Sequence, residues 1–209
     1  MAEIYTKARS VVLWLGDETN TARLAFQMIG RIAEYVSNPE DPAHSSINMD
    51  NTFFPYMCIG PQALKRLEAL SQLMQRPWWR RAWVLQEAVL APEANVHCGG
   101  LILPWTKFAL AGTVLLKSRP VIVKGAMLAN PALGKRVRRV LDQCTEYLSM
   151  HIMRWAWRSQ RPASLINLLC WTRDLQATGP KDKVYSNWVI ARLLSPGRRP
   201  ESGLFPNCH

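Results

Sequence analysis

The chain of 209 residues is long enough for one substantial core, and a composition that is 48% hydrophobic with nine tryptophans excludes a wholly disordered protein. Its net charge of +11 lies entirely in the second half: residues 1–100 hold 9 basic and 10 acidic residues, whereas residues 101–209 hold 17 and 5. Five cysteines without a C-x-x-C pair argue against a zinc site and a disulfide framework, so we expect no metal and a reducing compartment. The absence of a signal-like or membrane-spanning apolar run predicts a cytoplasmic protein.

The first half of the chain predicts a strand between helices. Residues 1–8 are typical of the end of a helix, and the unbroken apolar run from Val11 to Leu15 predicts a strand buried on both faces, as in a parallel sheet. Asp17 or Thr19 can then cap a helix over residues 18–37. A proline-rich loop follows, in which residues 53–56 should pack against the body of the protein. Pro61 starts another helix.

The second half predicts a hairpin followed by helices. A Gly-Gly pair between two short apolar runs predicts a β-hairpin over residues 95–103. Helices are expected over residues 104–117, 164–172 and 182–194, and one long basic amphipathic helix over 133–157, while residues 118–131 are expected to be irregular. The tail, residues 195–209, contains three prolines and two glycines and is expected to be disordered.

The basic half has its densest charge at Lys135-Arg136-Val137-Arg138-Arg139. Such a cluster can bind nucleic acid, anionic lipid or an acidic partner protein, or form the solvated face of a helix. No zinc-finger, RNP-like or helix-turn-helix pattern accompanies it, so sequence-specific DNA binding is not expected.

The segment from Arg76 to Ala91 concentrates three tryptophans, three arginines and one carboxylate, and it predicts a single helix over residues 77–90. At 100° per residue, Trp79 and Trp83 face one narrow sector, and Glu87 lies at its edge. Glu87 is therefore either a solvated or arginine-paired carboxylate, or a functional carboxylate at the mouth of a pocket. A tryptophan stripe at helical spacing is usually core, and a third reading, nucleic-acid binding by Trp and Arg, would need those rings to be exposed.

Common enzyme signatures are absent from the sequence. It contains no Walker motif, GxGxxG, HExxH or GxSxG, and its four histidines do not cluster.

Three segments, in order, resemble the fungal heterokaryon incompatibility (HET) domain. They are Ile4 to Gly16, which ends in Trp-Leu-Gly; the Arg-x-Trp-x-x-Arg-x-Trp-x-x-Gln-Glu pattern from Arg76 to Glu87, followed by His97-Cys98-Gly99; and Arg173-Asp174 with Pro180-Lys181-Asp182-Lys183-Val184-Tyr185. The resemblance implies an effector of vegetative incompatibility that triggers programmed cell death on nonself recognition. It also implies that the partners of this effector are other incompatibility or death-signalling proteins. Self-association is a further expectation.

The HET domain is in turn similar to the TIR domain, and this second resemblance implies a fold and a chemistry. The implied fold is α/β and helix-rich, a partial flavodoxin/TIR-like parallel sheet with flanking helices and an inserted β-hairpin. In NAD-cleaving TIR domains a helical glutamate in a Trp-Cys-x-x-Glu context is catalytic, and Trp83-Val84-Leu85-Gln86-Glu87 is similar to it. The resemblance thus implies Glu87 as the catalytic carboxylate and NAD as substrate, with no required cofactor. Trp79 or Trp83 would wall the pocket, and Arg80 or Arg81 would meet the pyrophosphate.

The sequence also departs from the HET pattern. Two strands that normally precede the Ile-Tyr segment are not in this sequence, so we expect residues 1–194 to form an incomplete HET domain; if the whole protein lacks those strands, NAD cleavage would be lost. Exposed apolar surface and unpaired backbone at such a sheet predict marginal stability or oligomerisation. The remaining alternatives are a noncatalytic signalling module and a module that binds nucleic acid or an anionic surface.

Overall fold

Helices surround a small sheet in the computed structural model, which describes residues 2–37, 61–143, 145–159, 161, 165–172, 175–177 and 179–193. The predicted packing of residues 53–56, the Arg173-Asp174 pair and the tail from 195 lie outside these residues. The helices are α1 Ala2–Lys7, α2 Asn20–Ser37, α3 Pro61–Met74, α4 Val84–Leu90, α5 Trp105–Lys117, α6 Arg119–Ala129, α7 Pro131–Gln143, α8 Thr145–Arg158, α9 Leu165–Trp171 and α10 Pro180–Leu193, with a 3₁₀ turn at Pro77–Arg80.

Three strands form a mixed sheet in the order β1-β2-β3: β1 Val11–Trp14, β2 Ala94–Cys98 and β3 Leu101–Pro104. Strands β1 and β2 are parallel, and β2 and β3 form the predicted hairpin. Gly99 adopts φ +56° in its turn, a conformation that favours glycine. The helix-rich α/β class is confirmed, whereas the flavodoxin/TIR-like arrangement stays a prediction.

The prediction that β1 is buried on both faces is wrong. Leu13 is buried, but Val12 and Trp14 are exposed, so the strand alternates as a sheet with one covered face does. The unbroken apolar run concealed this alternation because the outward positions are also hydrophobic.

Two helix predictions in the basic half are also wrong. Residues 119–129, expected to be irregular, form α6, and the single helix expected over residues 133–157 is two helices, α7 and α8. The side chain of Asn130 accepts hydrogen bonds from the N–H groups of Ala132 (2.8 Å) and Leu133 (3.3 Å), and Pro131 occupies the first position of α7. This Asn-Pro pair begins α7 at Pro131, whereas periodicity alone placed the start of a helix at residue 133.

The tryptophan-rich segment is not one helix, which corrects a further prediction. Arg81 is extended (φ −79°, ψ 132°) between the 3₁₀ turn and α4, and it forms a parallel β-bridge with Gln176. Hydrogen bonds to a distant segment therefore replace those of a continuous helix at this point.

Helix α4 lies at the centre of the packing. It contacts α1, β1, α8 and α10, and five of its seven residues are buried and hydrophobic. The side chains that project from its ends are therefore held by several elements at once.

Candidate functional site

Glu87 lies in the first turn of α4 and is partly buried. Its Oε2 accepts a hydrogen bond of 3.0 Å from the indole Nε1 of Trp78. Trp78 belongs to the 3₁₀ turn, so the extended residue Arg81 lets the turn fold back alongside α4. The carboxylate is thus held by a buried ring in one orientation.

Tyr5 and Arg81 complete the electrostatic environment of Glu87. Burial raises the pKa of the Tyr5 phenol, the Glu87 carboxylate raises that pKa further, and the Arg81 guanidinium opposes them. Helix α1, which carries Tyr5, packs against α4. A phenol, a carboxylate and a guanidinium from two of the motif segments therefore lie within electrostatic range of each other. We call Tyr5, Trp78, Arg81 and Glu87 the carboxylate cluster.

The remaining residues expected at the site are dispersed. Trp79 is 2% exposed, its Nε1 donates to the carbonyl of Leu73 (3.0 Å), and its ring packs with Trp105 and Phe108 in the core. Arg80 is exposed, and Trp83 is partly buried just before α4. Sequence reasoning selected Trp79 and missed Trp78 and Tyr5, although both lie within the quoted motifs.

A third chain segment closes on the same place. The N–H of Ala82 donates to the carbonyl of Gln176 (2.8 Å), and the N–H of Gln176 donates to the carbonyl of Arg80.

At the other end of α4, the buried Arg154 donates to the carbonyls of Ala88 and Pro92. Burial and the nearby Arg158 lower the pKa of Arg154 to about 10. Carbonyls at a helix C-terminus are natural partners for a cation.

A separate network fixes the turn between β1 and α2. Nη1 of Arg76 donates to the carbonyls of Leu15 and Asp17, each at 2.8 Å, and the N–H of Gly99 donates to the carbonyl of Gly16 (2.9 Å). Gly16 adopts φ +101°, so a side chain there would be strained. A cavity of about 190 Å³ adjoins this turn, lined by Thr19, Thr21, Ala22, Gln72, Leu73 and Arg76.

These contacts join the first two motif segments. A comparison with protein families finds a match for the part of the chain that contains both segments. Residues 1–87 match the family model described as Heterokaryon incompatibility protein (HET). The match confirms the suspected HET resemblance over that part of the chain and supports a role related to heterokaryon incompatibility. No curated protein and no solved structure matches the chain.

The contacts described above give several residues of the HET match a structural role. Arg76 and Gly16 fix the β1–α2 turn, and Trp78 orients Glu87 at the end of the matched range. Residues beyond the match, Gln176 and Arg154, hold the backbone on both sides of that carboxylate. The geometry of the HET segment therefore depends on the rest of the chain.

Gln86, next to Glu87, is the other polar residue at the end of the second motif. Its side chain is buried, and neither Oε1 nor Nε2 has a hydrogen-bond partner among the described residues. A buried amide without hydrogen-bond partners destabilises the folded state, so the Gln86 side chain lowers the stability of the fold.

Two further findings concern metals and membranes. Among the described residues, no three His, Cys, Asp or Glu side chains are grouped so as to hold a metal ion. None of the described helices has the length and apolar character needed to cross a bilayer.

Proposed function

We propose that this protein acts in fungal heterokaryon incompatibility as a cytoplasmic effector, or part of one, that triggers programmed cell death on nonself recognition. The HET match over residues 1–87 carries this proposal. Its partners would be other incompatibility or death-signalling proteins, and self-association would be one way of transmitting the signal.

The carboxylate cluster favours one enzymatic activity within that role, hydrolysis of NAD. Water would add to the anomeric carbon of the nicotinamide ribose while the bond to nicotinamide breaks, giving nicotinamide, ADP-ribose and a proton released to solvent. The transition state resembles an oxocarbenium ion, and the Glu87 carboxylate would stabilise its positive charge and hold a ribose hydroxyl. Arg81, exposed beside Glu87, would meet the pyrophosphate.

The aromatic wall of the site belongs, on this proposal, to Trp83 and Trp78. Trp83 is partly exposed at the start of α4, and Trp78 already contacts Glu87. Trp79 packs inside the core, and its role is to support Trp78, whose ring meets it edge-on at 4.9 Å. Arg80 stays a second candidate for the pyrophosphate because it is exposed next to Arg81.

The experiment compares nicotinamide release from NAD by the wild-type chain with release by Glu87→Gln and Glu93→Gln. The glutamine oxygen can still accept the hydrogen bond from Trp78, so Glu87→Gln removes charge with little effect on the fold. We expect a loss of roughly 100-fold or more at Glu87, since a preorganised charged group commonly contributes that much. Glu93 is an exposed carboxylate outside the cluster and serves as the matched control.

The results also separate the enzyme from a noncatalytic module. Release that survives Glu87→Gln would refute the catalytic role of Glu87. Cell death on expression in fungal cells without measurable NAD cleavage would instead favour signalling by assembly. Expression without any loss of viability, alone or beside an incompatible strain, would contradict the effector role itself.

A further inference from the structure

Helices α6 and α7 enclose a groove on the basic half of the molecule. They lie close together where Gly134 faces Met127, because a Cβ at Gly134 would collide with the Met127 side chain and lie 2.8 Å from its Cα. Beside this contact lies a cavity of about 510 Å³, large enough for a small organic ligand. Its lining consists of Arg119, Pro120, Val123, Lys124, Met127 and Arg138.

The lining combines positive charge with an apolar floor and contains no acidic residue. Arg119 forms an ion pair with Asp142. Lys124 and Arg138 are exposed and form no ion pair with any residue that the structure describes. Two uncompensated cations beside Val123 and Met127 suit a ligand that carries an anionic and an apolar part.

The surface beside the groove has the same character. On α6, Val121 and Leu128 project next to Lys124 at helical spacing, and they are 51% and 80% exposed. On α7, Lys135 and Arg139 add exposed positive charge. Exposed aliphatic side chains among basic residues are typical of surfaces that enter the headgroup region of a bilayer.

We propose that the groove between α6 and α7 binds anionic phospholipid and docks this face of the protein on an anionic membrane surface. Lys124 and Arg138 contact lipid phosphate and carboxylate groups, while Val121 and Leu128 enter the boundary between headgroups and acyl chains. Nucleic acid fits less well because the described lining offers no aromatic ring on which a base could stack.

The test is cosedimentation of the full chain with two kinds of vesicle, phosphatidylcholine alone and phosphatidylcholine with phosphatidylserine. We expect binding only to the second kind. Replacing both groove cations (Lys124→Gln with Arg138→Gln) should weaken it roughly tenfold or more, because each basic residue near an anionic surface contributes substantially. A matched control replaces two exposed cations elsewhere, Arg9 and Arg31, by Gln and should change binding about twofold at most.

The variant Leu128→Ser distinguishes insertion of an apolar side chain into the bilayer from electrostatic attraction to the lipid headgroups. We expect this variant to bind phosphatidylserine vesicles more weakly than wild type at high salt, where electrostatic attraction is screened. Circular dichroism spectra that match the wild type would show that each variant is folded.

Several outcomes would overturn the proposal. They are an equal loss of binding in the Arg9/Arg31 control, no effect of Leu128→Ser, and equal binding to vesicles without phosphatidylserine. Stronger binding to duplex DNA or to polyglutamate than to the vesicles, sensitive to Lys124 and Arg138, would assign the groove to a nucleic acid or to an acidic protein instead.

Discussion

His151 shows how a single residue can make the stability of this fold depend on pH. Burial and the nearby Arg154 lower the pKa of His151, and its Nδ1 has no hydrogen-bond partner among the described residues. The unfolded chain therefore binds a proton more readily than the folded one. The free energy of unfolding is therefore highest above about pH 6.5, the approximate pKa of His151 in the unfolded chain. It decreases as the pH falls towards the lower pKa that His151 has in the folded protein.

We predict that the free energy of unfolding decreases on acidification below about pH 6.5, with a contribution from His151 of at most about 1.4 kcal/mol per pH unit. Urea denaturation at a series of pH values would measure it. In His151→Gln this part of the slope should disappear, and identical slopes in the two proteins would contradict the assignment.

At the residue scale the sequence selected Glu87 and Arg81 but not Trp78 or Tyr5, which lie with them in the carboxylate cluster. The environment of Glu87 depends on Trp78, whose position follows from the extended backbone of Arg81, and on Tyr5 from another helix. Neither is determined by spacing within the segment. Trp79 illustrates the converse, since its regular position on the predicted helical face could not show that it packs against Trp105 and Phe108.

At the element scale, α4 is a short helix that depends on partners at both ends. Seven residues are too few for a stable isolated helix, so tertiary contacts must hold it. Gln176 pairs with the backbone before its first turn, and Arg154 binds the carbonyls at its last turn. Local periodicity contains no information on either contact, which is why the sequence predicted one longer helix.

We predict that Arg154→Met lowers the free energy of unfolding by about 1–3 kcal/mol, because the buried carbonyl of Ala88 in α4 would lose its donor, whereas the carbonyl of Pro92 would keep the hydrogen bond from Arg158. Methionine fills much of the same volume, so packing changes little. Arg139→Met, at an exposed position, is the control and should stay within about 0.5 kcal/mol. Equal denaturation midpoints for Arg154→Met and wild type would show that Arg154 does not hold the helix.

At the scale of the whole molecule, the sheet has one covered and one open face. Val12, Trp14 and Ile102 are exposed, and Trp14, His97 and Ile102 occupy one cross-strand row. The backbone N–H groups of Val11 and Leu15 donate hydrogen bonds towards β2. The backbone groups of Val12 and Trp14 therefore point to the opposite edge of the sheet, where no described strand pairs with them. Such an edge is a template for another chain.

We therefore predict concentration-dependent self-association, measurable by sedimentation velocity. Lysines at both outward positions, Val12→Lys with Trp14→Lys, should shift the protein towards monomer because charge blocks edge pairing. Ile166→Lys, on the exposed surface of α9, is the matched control and should leave the distribution unchanged. A wild-type chain that stays monomeric at all accessible concentrations would contradict the prediction.

The bridge between Arg81 and Gln176 also has a consequence for synthesis on the ribosome. Residues 1–87 leave the exit tunnel long before Gln176, so Glu87 and Trp78 exist as nascent chain without the contact that breaks their helix. Closure over so long a stretch of chain is a late event. The carboxylate cluster can reach its final geometry only after Gln176 has left the tunnel, and ribosome-bound chains that stop short of Gln176 should lack it.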